Sequence, residues 1–367
     1  MSRFLAIVVI LAGPAAFAQN PNLEALKAKA AAGDRASQYS LGEDYRLGLA
    51  GVTPDGKTSE YYYKMAAAQG MPEAQQALAM LYYEGEMIPQ NYPEALRWFR
   101  AAADLGLPEA KFYIGAMYDG GLGVKRDYLE AAKWFKIAAD LNMADAQYNL
   151  GVMYANGVGV ERNYAEAARL YKLAAEQRKL PEAEFNLAAL YDVGLGVPVD
   201  HQEAARWYRD AAEQGHAASQ FNIGLMYAGG QGVAQDFAEA AKWYRMAADQ
   251  GAAEAAYNLG VLYAQGQGVK QDFKEAVRLY TLAAEQGHGD AQFNLGGMYA
   301  TGRGIARDDV EAYKWISMAA SKGDMDAARA MDRLTGRMTP VQVEEAKKRI
   351  SAWKSCNSKE ACDLRVK

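Results

Sequence analysis

The amino-acid sequence predicts an all-α solenoid of about eight stacked two-helix repeats. Three observations predict it: one pattern recurs through most of the chain, apolar residues keep helical spacing inside each copy, and the same capping residues return at the same places. The large residue of the second half of the pattern falls at Trp98, Trp134, Leu170, Trp207, Trp243, Leu279 and Trp315, 36 residues apart with one step of 37. Tyr62 extends the series by one more divergent copy that begins near Gly33.

The elements follow in chain order. Residues 1–18 carry Arg3, an apolar run from Phe4 to Ala12 and the triplet Ala16-Phe17-Ala18 before Gln19, the features of a signal peptide cleaved after Ala18. An uncleaved anchor is the other reading, but the apolar run is short of the roughly 20 residues a spanning helix needs, and Pro14 interrupts it. Residues 19–32 read as a lead-in capping helix. The repeats then run over about 33–69, 70–105, 106–141, 142–178, 179–214, 215–250, 251–286 and 287–322.

Within a repeat, Ala146, Leu150, Met153 and Tyr154 share one face of the first helix, and Ala167, Leu170, Tyr171 and Ala174 one face of the second. Gly115, Gly151, Gly224, Gly260 and Gly296 stand in mid-helix, where Gly is unfavourable unless another element packs closely against it. The second helix opens with Asp or Asn followed three residues later by Glu, the reciprocal capping box: Asn91/Glu94, Asp127/Glu130, Asn163/Glu166, Asp200/Glu203, Asp236/Glu239, Asp272/Glu275 and Asp308/Glu311. It ends at Gly106, Gly215, Gly251, Gly287 or Gly323, where a left-handed residue turns the chain into the next copy. One such hairpin cannot bury its apolar faces alone, so the copies must stack. Residues 323–355 depart from the pattern. Thr339 as cap, Pro340 at the first position and Gln342 start a C-terminal capping helix there, followed by a tail over 356–367.

The repeated string AxYNLGxMYxxGxGVxxDxxEAxxWYxxAAxQG resembles the Sel-1-like repeat, a relative of the tetratricopeptide repeats, over residues 33–322. The resemblance implies a right-handed superhelix whose members act as adaptors and scaffolds. Bacterial members are often exported, and some take part in envelope signalling, exopolysaccharide control or host contact. Residues Ala50 to Ser59 and Met87-Ile88-Pro89 depart from the pattern.

Composition narrows the function. Hydrophobic content of 51% and charged content of 23% suit a folded chain, and a net charge of −5 with dispersed Lys and Arg gives no basic stripe for nucleic acid. Cys356 and Cys362 lie close together near the C-terminus, so in an oxidising compartment a disulfide between them is expected. Two cysteines with no histidine nearby are too few ligands for a metal site.

Several motifs that look chemical are better read as structure. The stretch Gly51 to Thr58 fits G-x-x-x-x-G-K-[ST], but here it would join two helices instead of a strand and a helix, so no nucleotide is expected. The glycine pairs Gly121/Gly123, Gly157/Gly159, Gly194/Gly196 and Gly230/Gly232 recur in every copy and read as turns. Ser351 and Lys354 satisfy S-x-x-K without its partner motifs. His216 and His288 occupy equivalent places, His201 stands alone, and nothing assembles into a catalytic constellation or a cofactor site.

The row with a functional reading is Asn149, Asn186, Asn222, Asn258 and Asn294, at one position of the first helix, each preceded by an aromatic: Tyr148, Phe185, Phe221, Tyr257 and Phe293. Tyr113 replaces Asn in the third copy. The amides either satisfy neighbouring groups of the fold or, if the first helices line a concave groove as the tetratricopeptide resemblance implies, hydrogen-bond an extended peptide. The expectation is a periplasmic or secreted protein-binding scaffold, not an enzyme, with no cofactor and no membrane insertion after cleavage. The alternative is a cell-wall or β-lactam-directed hydrolase resembling cysteine-rich relatives, whose cysteine pair in each repeat is missing here.

Overall fold

A computed structural model describes residues 21–357 of the chain. The expected signal peptide and its cleavage point therefore lie outside the described residues. So does Cys362, and with it the expected disulfide to Cys356.

Two compact units divide after Asn163. The first holds α1 (Pro21–Ala31), α2 (Arg35–Leu47), α3 (Gly56–Ala68), α4 (Pro72–Glu84), α5 (Tyr92–Asp104), α6 (Pro108–Gly120), α7 (Tyr128–Asp140) and α8 (Ala144–Asn156). The second holds α9 (Tyr164–Arg178), α10 (Pro181–Val193), α11 (His201–Glu213), α12 (Ala217–Gly229), α13 (Phe237–Asp249), α14 (Ala253–Gln265), α15 (Phe273–Glu285), α16 (Gly289–Thr301), α17 (Asp309–Ala320), α18 (Met325–Thr335) and α19 (Pro340–Asn357). From α2 to α17 the even-numbered helices are the first and the odd-numbered ones the second of each repeat. Inside each unit every first helix packs on its own second helix, and every second helix packs on the next first helix. The described residues are all-α, and the architecture is that of an α-solenoid.

Close packing follows from small residues. The alanine pairs Ala102/Ala103, Ala138/Ala139, Ala211/Ala212, Ala247/Ala248 and Ala283/Ala284 are buried on the second helices. The mid-helix glycines lie under a large side chain of the paired helix: a Cβ on Gly224 would come within 2.7 Å of the Tyr244 ring, and one on Gly260 within 2.8 Å of Tyr280. In the loop of each repeat the first glycine is the left-handed helix cap. The second, as at Gly159, Gly268 and Gly304, leaves no room for a Cβ against the start of the preceding second helix. These turns are thus also contacts between repeats.

Left-handed residues turn each second helix into the next first helix at Gly70, Gly106, Gly215, Gly251, Gly287 and Gly323. Where the fourth and fifth repeats lack that glycine, Asn142 (φ 60°) and Lys179 (φ 49°) adopt the same conformation.

The capping box is only half formed. Asp127, Asp200, Asp236, Asp272 and Asp308 accept from the backbone N–H two and three residues on. The cap's own N–H does not donate to the Glu side chain. It donates to a tyrosine carbonyl at the end of the paired first helix, as from Asp236 to Tyr227 and from Asp272 to Tyr263. The Glu is left to pair with a cation one turn on, as in Glu94–Arg97, Glu203–Arg206 and Glu275–Arg278. The hairpin geometry takes the donor that a local box would have used.

At the C-terminal end, Thr339 and Gln342 cap α19 reciprocally, at 2.9 and 3.3 Å. Trp353 meets Trp315 edge-on with ring centroids 6.1 Å apart, and Arg349 donates to Glu311 at 2.8 Å, which holds α19 on α17.

Candidate functional site

The five asparagines are all half-buried. In the second unit Asn222, Asn258 and Asn294 lie beside tyrosines of the preceding second helix, Tyr208, Tyr244 and Tyr280, and each acts on its hydroxyl as a hydrogen-bond donor would. Each of these tyrosines is at most 3% exposed, and burial pushes its hydroxyl up to about 12 while the asparagine bond pulls the other way. An amide donor beside such a hydroxyl suits the core, because buried polar groups need partners. The bond also crosses repeats, because Tyr244 covers Gly224 of its own repeat and Tyr280 covers Gly260, while the asparagine belongs to the next. Asn294 touches the Tyr257 hydroxyl of the neighbouring first helix as well.

In the first unit the corresponding second-helix residue is Phe135, which lies over Gly115 and has no hydroxyl to offer. There Asn149 turns back and donates to the Asp145 carbonyl of its own helix at 2.8 Å. The sequence presents the asparagine row plainly. The tyrosines that engage it were missed, although Tyr208, Tyr244 and Tyr280 recur as regularly as the asparagines.

An Asn side chain has two N–H groups and a carbonyl oxygen, so one bond to a tyrosine leaves hydrogen-bonding capacity at the half-exposed edge of the amide. Asn294 and Phe293 line a depression of about 270 Å³ with Tyr280, Met298, Thr301 and Arg303. It is open because Gly297 stands where Leu225 and Val261 stand in neighbouring repeats, and a Cβ there would meet nothing within 4 Å. The aromatic row packs inward: Phe221 lies 6.0 Å from Tyr244, Tyr257 6.0 Å from Tyr280, and Tyr257 stacks on His288 at 4.6 Å.

A second polar row was also missed. Gln38, Gln75, Gln147, Gln220 and Gln292 are buried on the first helices and donate to a carbonyl of the preceding helix. The fifth repeat carries Glu184 in this place, 2% exposed, accepting from Gln214 Nε2 at 2.7 Å. Desolvation, and then Asp210, raise its pKa to about 7.

The other motifs have local partners. Asp55 caps α3 within the Gly51–Thr58 stretch, taking the Lys57 N–H at 3.1 Å and the Thr58 hydroxyl at 2.5 Å, so a carboxylate occupies the helix N-terminus that a phosphate would need. Ser351 donates its hydroxyl to the Lys347 carbonyl at 3.1 Å, which engages the atom that S-x-x-K chemistry would use as nucleophile. His216 and His288 both cap first helices through Nδ1, and burial lowers the pKa of His216. His201 Nδ1 lies 2.8 Å from Asp192. Among the described residues no group of three or more His, Cys, Asp or Glu is placed to hold a metal ion, and no helix is long and apolar enough to cross a membrane.

Stacked helical hairpins of this repeat type are a protein-interaction scaffold fold. The chain belongs to the Sel1 repeat family, whose model matches residues 35–71, 72–107, 108–143, 144–178, 181–216, 217–251, 253–288 and 289–324. Proteins of this family are generally scaffolds rather than catalysts. Among solved structures, the Sel1 repeat protein from Oxalobacter formigenes is 34% identical, with a TM-score of 0.64 over 85% of this chain and 90% of that one. The protective antigen c5321 of uropathogenic Escherichia coli, which displays the same repeat fold, is 28% identical, with a TM-score of 0.57 over 95% of this chain and 98% of that one. No curated protein matches this chain in sequence.

Proposed function

We propose that the protein is an exported scaffold, periplasmic or secreted, that holds a peptide or protein partner against its first helices and performs no catalysis. The observation that carries this reading is the half-exposed amide row, with the open depression beside Asn294 and Gly297. Amides at a fixed repeat spacing suit the backbone of an extended segment, and the flanking aromatic and aliphatic groups supply apolar contact. The N-terminal Arg3, apolar run and Ala16-Phe17-Ala18 triplet support export.

Affinity capture from the envelope fraction tests it. Truncating an asparagine alone also removes a donor from beside a buried tyrosine, so the variant pairs Asn222→Ala, Asn258→Ala and Asn294→Ala with Tyr208→Phe, Tyr244→Phe and Tyr280→Phe. A partner bound by the wild type and lost from this variant, at unchanged circular dichroism, supports the reading. Capture that survives the variant moves the site off the amide row. Mass spectrometry of the exported protein should find Gln19 first, and a mature chain retaining Met1 would overturn the export claim.

A further inference from the structure

The first unit has its own cavity on the first helices, of about 410 Å³, lined by α2, α4 and the start of α6. Its origin is visible in the repeat. Where the fourth and seventh repeats place Tyr148-Asn149 and Tyr257-Asn258, the second places Gln76-Ala77, and the lost volume opens a hole between Tyr39, Met80 and Leu107.

The charge around the cavity has one sign. Glu43, Glu73, Glu84 and Glu109 line it against a single cation, Arg46, which is committed to Glu43 at 2.6 Å and to the Tyr63 hydroxyl at 3.2 Å. Glu73, Glu84 and Glu109 make no salt bridge among the described residues. The pKa of Glu84 is raised, first by desolvation and then by Glu86, so it too would gain from a nearby cation. The cavity thus offers acceptors, negative charge and an apolar wall from Tyr39, Met80 and Leu107, and its cation Arg46 is already engaged.

We propose that this cavity receives a lysine or arginine side chain from an extended basic segment of the partner protein. The cation reaches the glutamates, and its aliphatic stem lies along Met80 and Leu107. The proposal rests on the scaffold reading and adds the chemistry of what is bound.

Fluorescence anisotropy with the full chain tests it, using labelled peptides of repeating Arg-Ser-Gly, Lys-Ser-Gly and Glu-Ser-Gly units. Two variants separate shape from charge. Gln76→Tyr/Ala77→Asn restores the residues of other repeats and fills the cavity with its charge intact, while Glu73→Gln/Glu109→Gln removes exposed charge and leaves the cavity. The wild type should bind both basic peptides and not the acidic one, and each variant should bind them at least about tenfold more weakly, the scale of one well-placed contact. Equal binding of the basic peptide by wild type and the cavity-filled variant would overturn the proposal, as would indifference to peptide charge. If the wild type ignores basic peptides yet captures a partner through the amide row, this inference falls and the scaffold reading stands. If capture fails as well, both fall.

Discussion

Asn258→Ala should destabilise the protein far more than a half-exposed asparagine normally does. Its amide lies beside the hydroxyl of Tyr244, a residue 2% exposed, and acts on it as a donor. An unsatisfied buried hydroxyl costs about 1–3 kcal/mol. Tyr244→Phe removes the hydroxyl and leaves the amide at the surface, where water can reach it, so about 0.5–1.5 kcal/mol is expected. Together the two changes remove both partners, so the double variant should lie below the sum by about 1 kcal/mol. Urea unfolding gives the three free energies. Because repeat arrays lose strict two-state behaviour, hydrogen exchange over α13 and α14 should report the same ranking locally. An Asn258→Ala variant within about 0.3 kcal/mol of wild type, or strictly additive singles, would refute a structural role for the amide row, given that additivity is the mark of independent sites.

Three further predictions concern the frame that carries the row. Glu184 has a folded pKa of about 7 against an ordinary value of 4.5, so its contribution to stability is fully present below 4.5 and is lost as pH rises through 7. The wild type should be less stable at pH 8 than at pH 5 by about 2–3 kcal/mol, because each tenfold weakening of an acid is worth about 1.4 kcal/mol, and Glu184→Gln should flatten that slope in a urea series. An unchanged slope would show that Glu184 is ionised in the fold. Lys179→Gly should raise stability by about 1 kcal/mol, because lysine holds a left-handed conformation there that glycine adopts freely. The comparison belongs at pH 5.5, where Glu184 is neutral, and a lower urea midpoint would contradict it. Gly260→Ala pushes a methyl to within 2.8 Å of the Tyr280 ring and should cost about 1–3 kcal/mol by thermal unfolding. A neutral result would mean that the hairpin spreads freely at that point.

Most of the fold was legible because the repeat states it many times over. Apolar spacing, the Asp and Asn caps, the terminal glycines and the Thr339-Pro340 start each place a helix by a local rule. The rules failed where a tertiary partner competes. The Glu half of the capping box goes unused because a tyrosine carbonyl takes the cap's N–H, and no local pattern announces that. For the site, the asparagines were visible but their partners were not, since the Tyr244–Asn258 bond joins two repeats whose register only stacking sets. The acidic cavity was harder still. It arises from two residues that break the pattern, Gln76 and Ala77, and a search for what recurs passes over what is missing.

The central claim is that the first helices present the partner-binding surface, and site-specific photo-crosslinking in cells tests it most directly. A photoreactive residue would replace Leu225, which is 40% exposed on α12, or Gly297, which opens the depression on α16, with Lys242 on the exposed face of α13 as the comparison. Crosslinks to one and the same protein from positions 225 and 297, and none from 242, are the predicted result. Crosslinks from 242 alone would put the partner on the second helices and contradict the account.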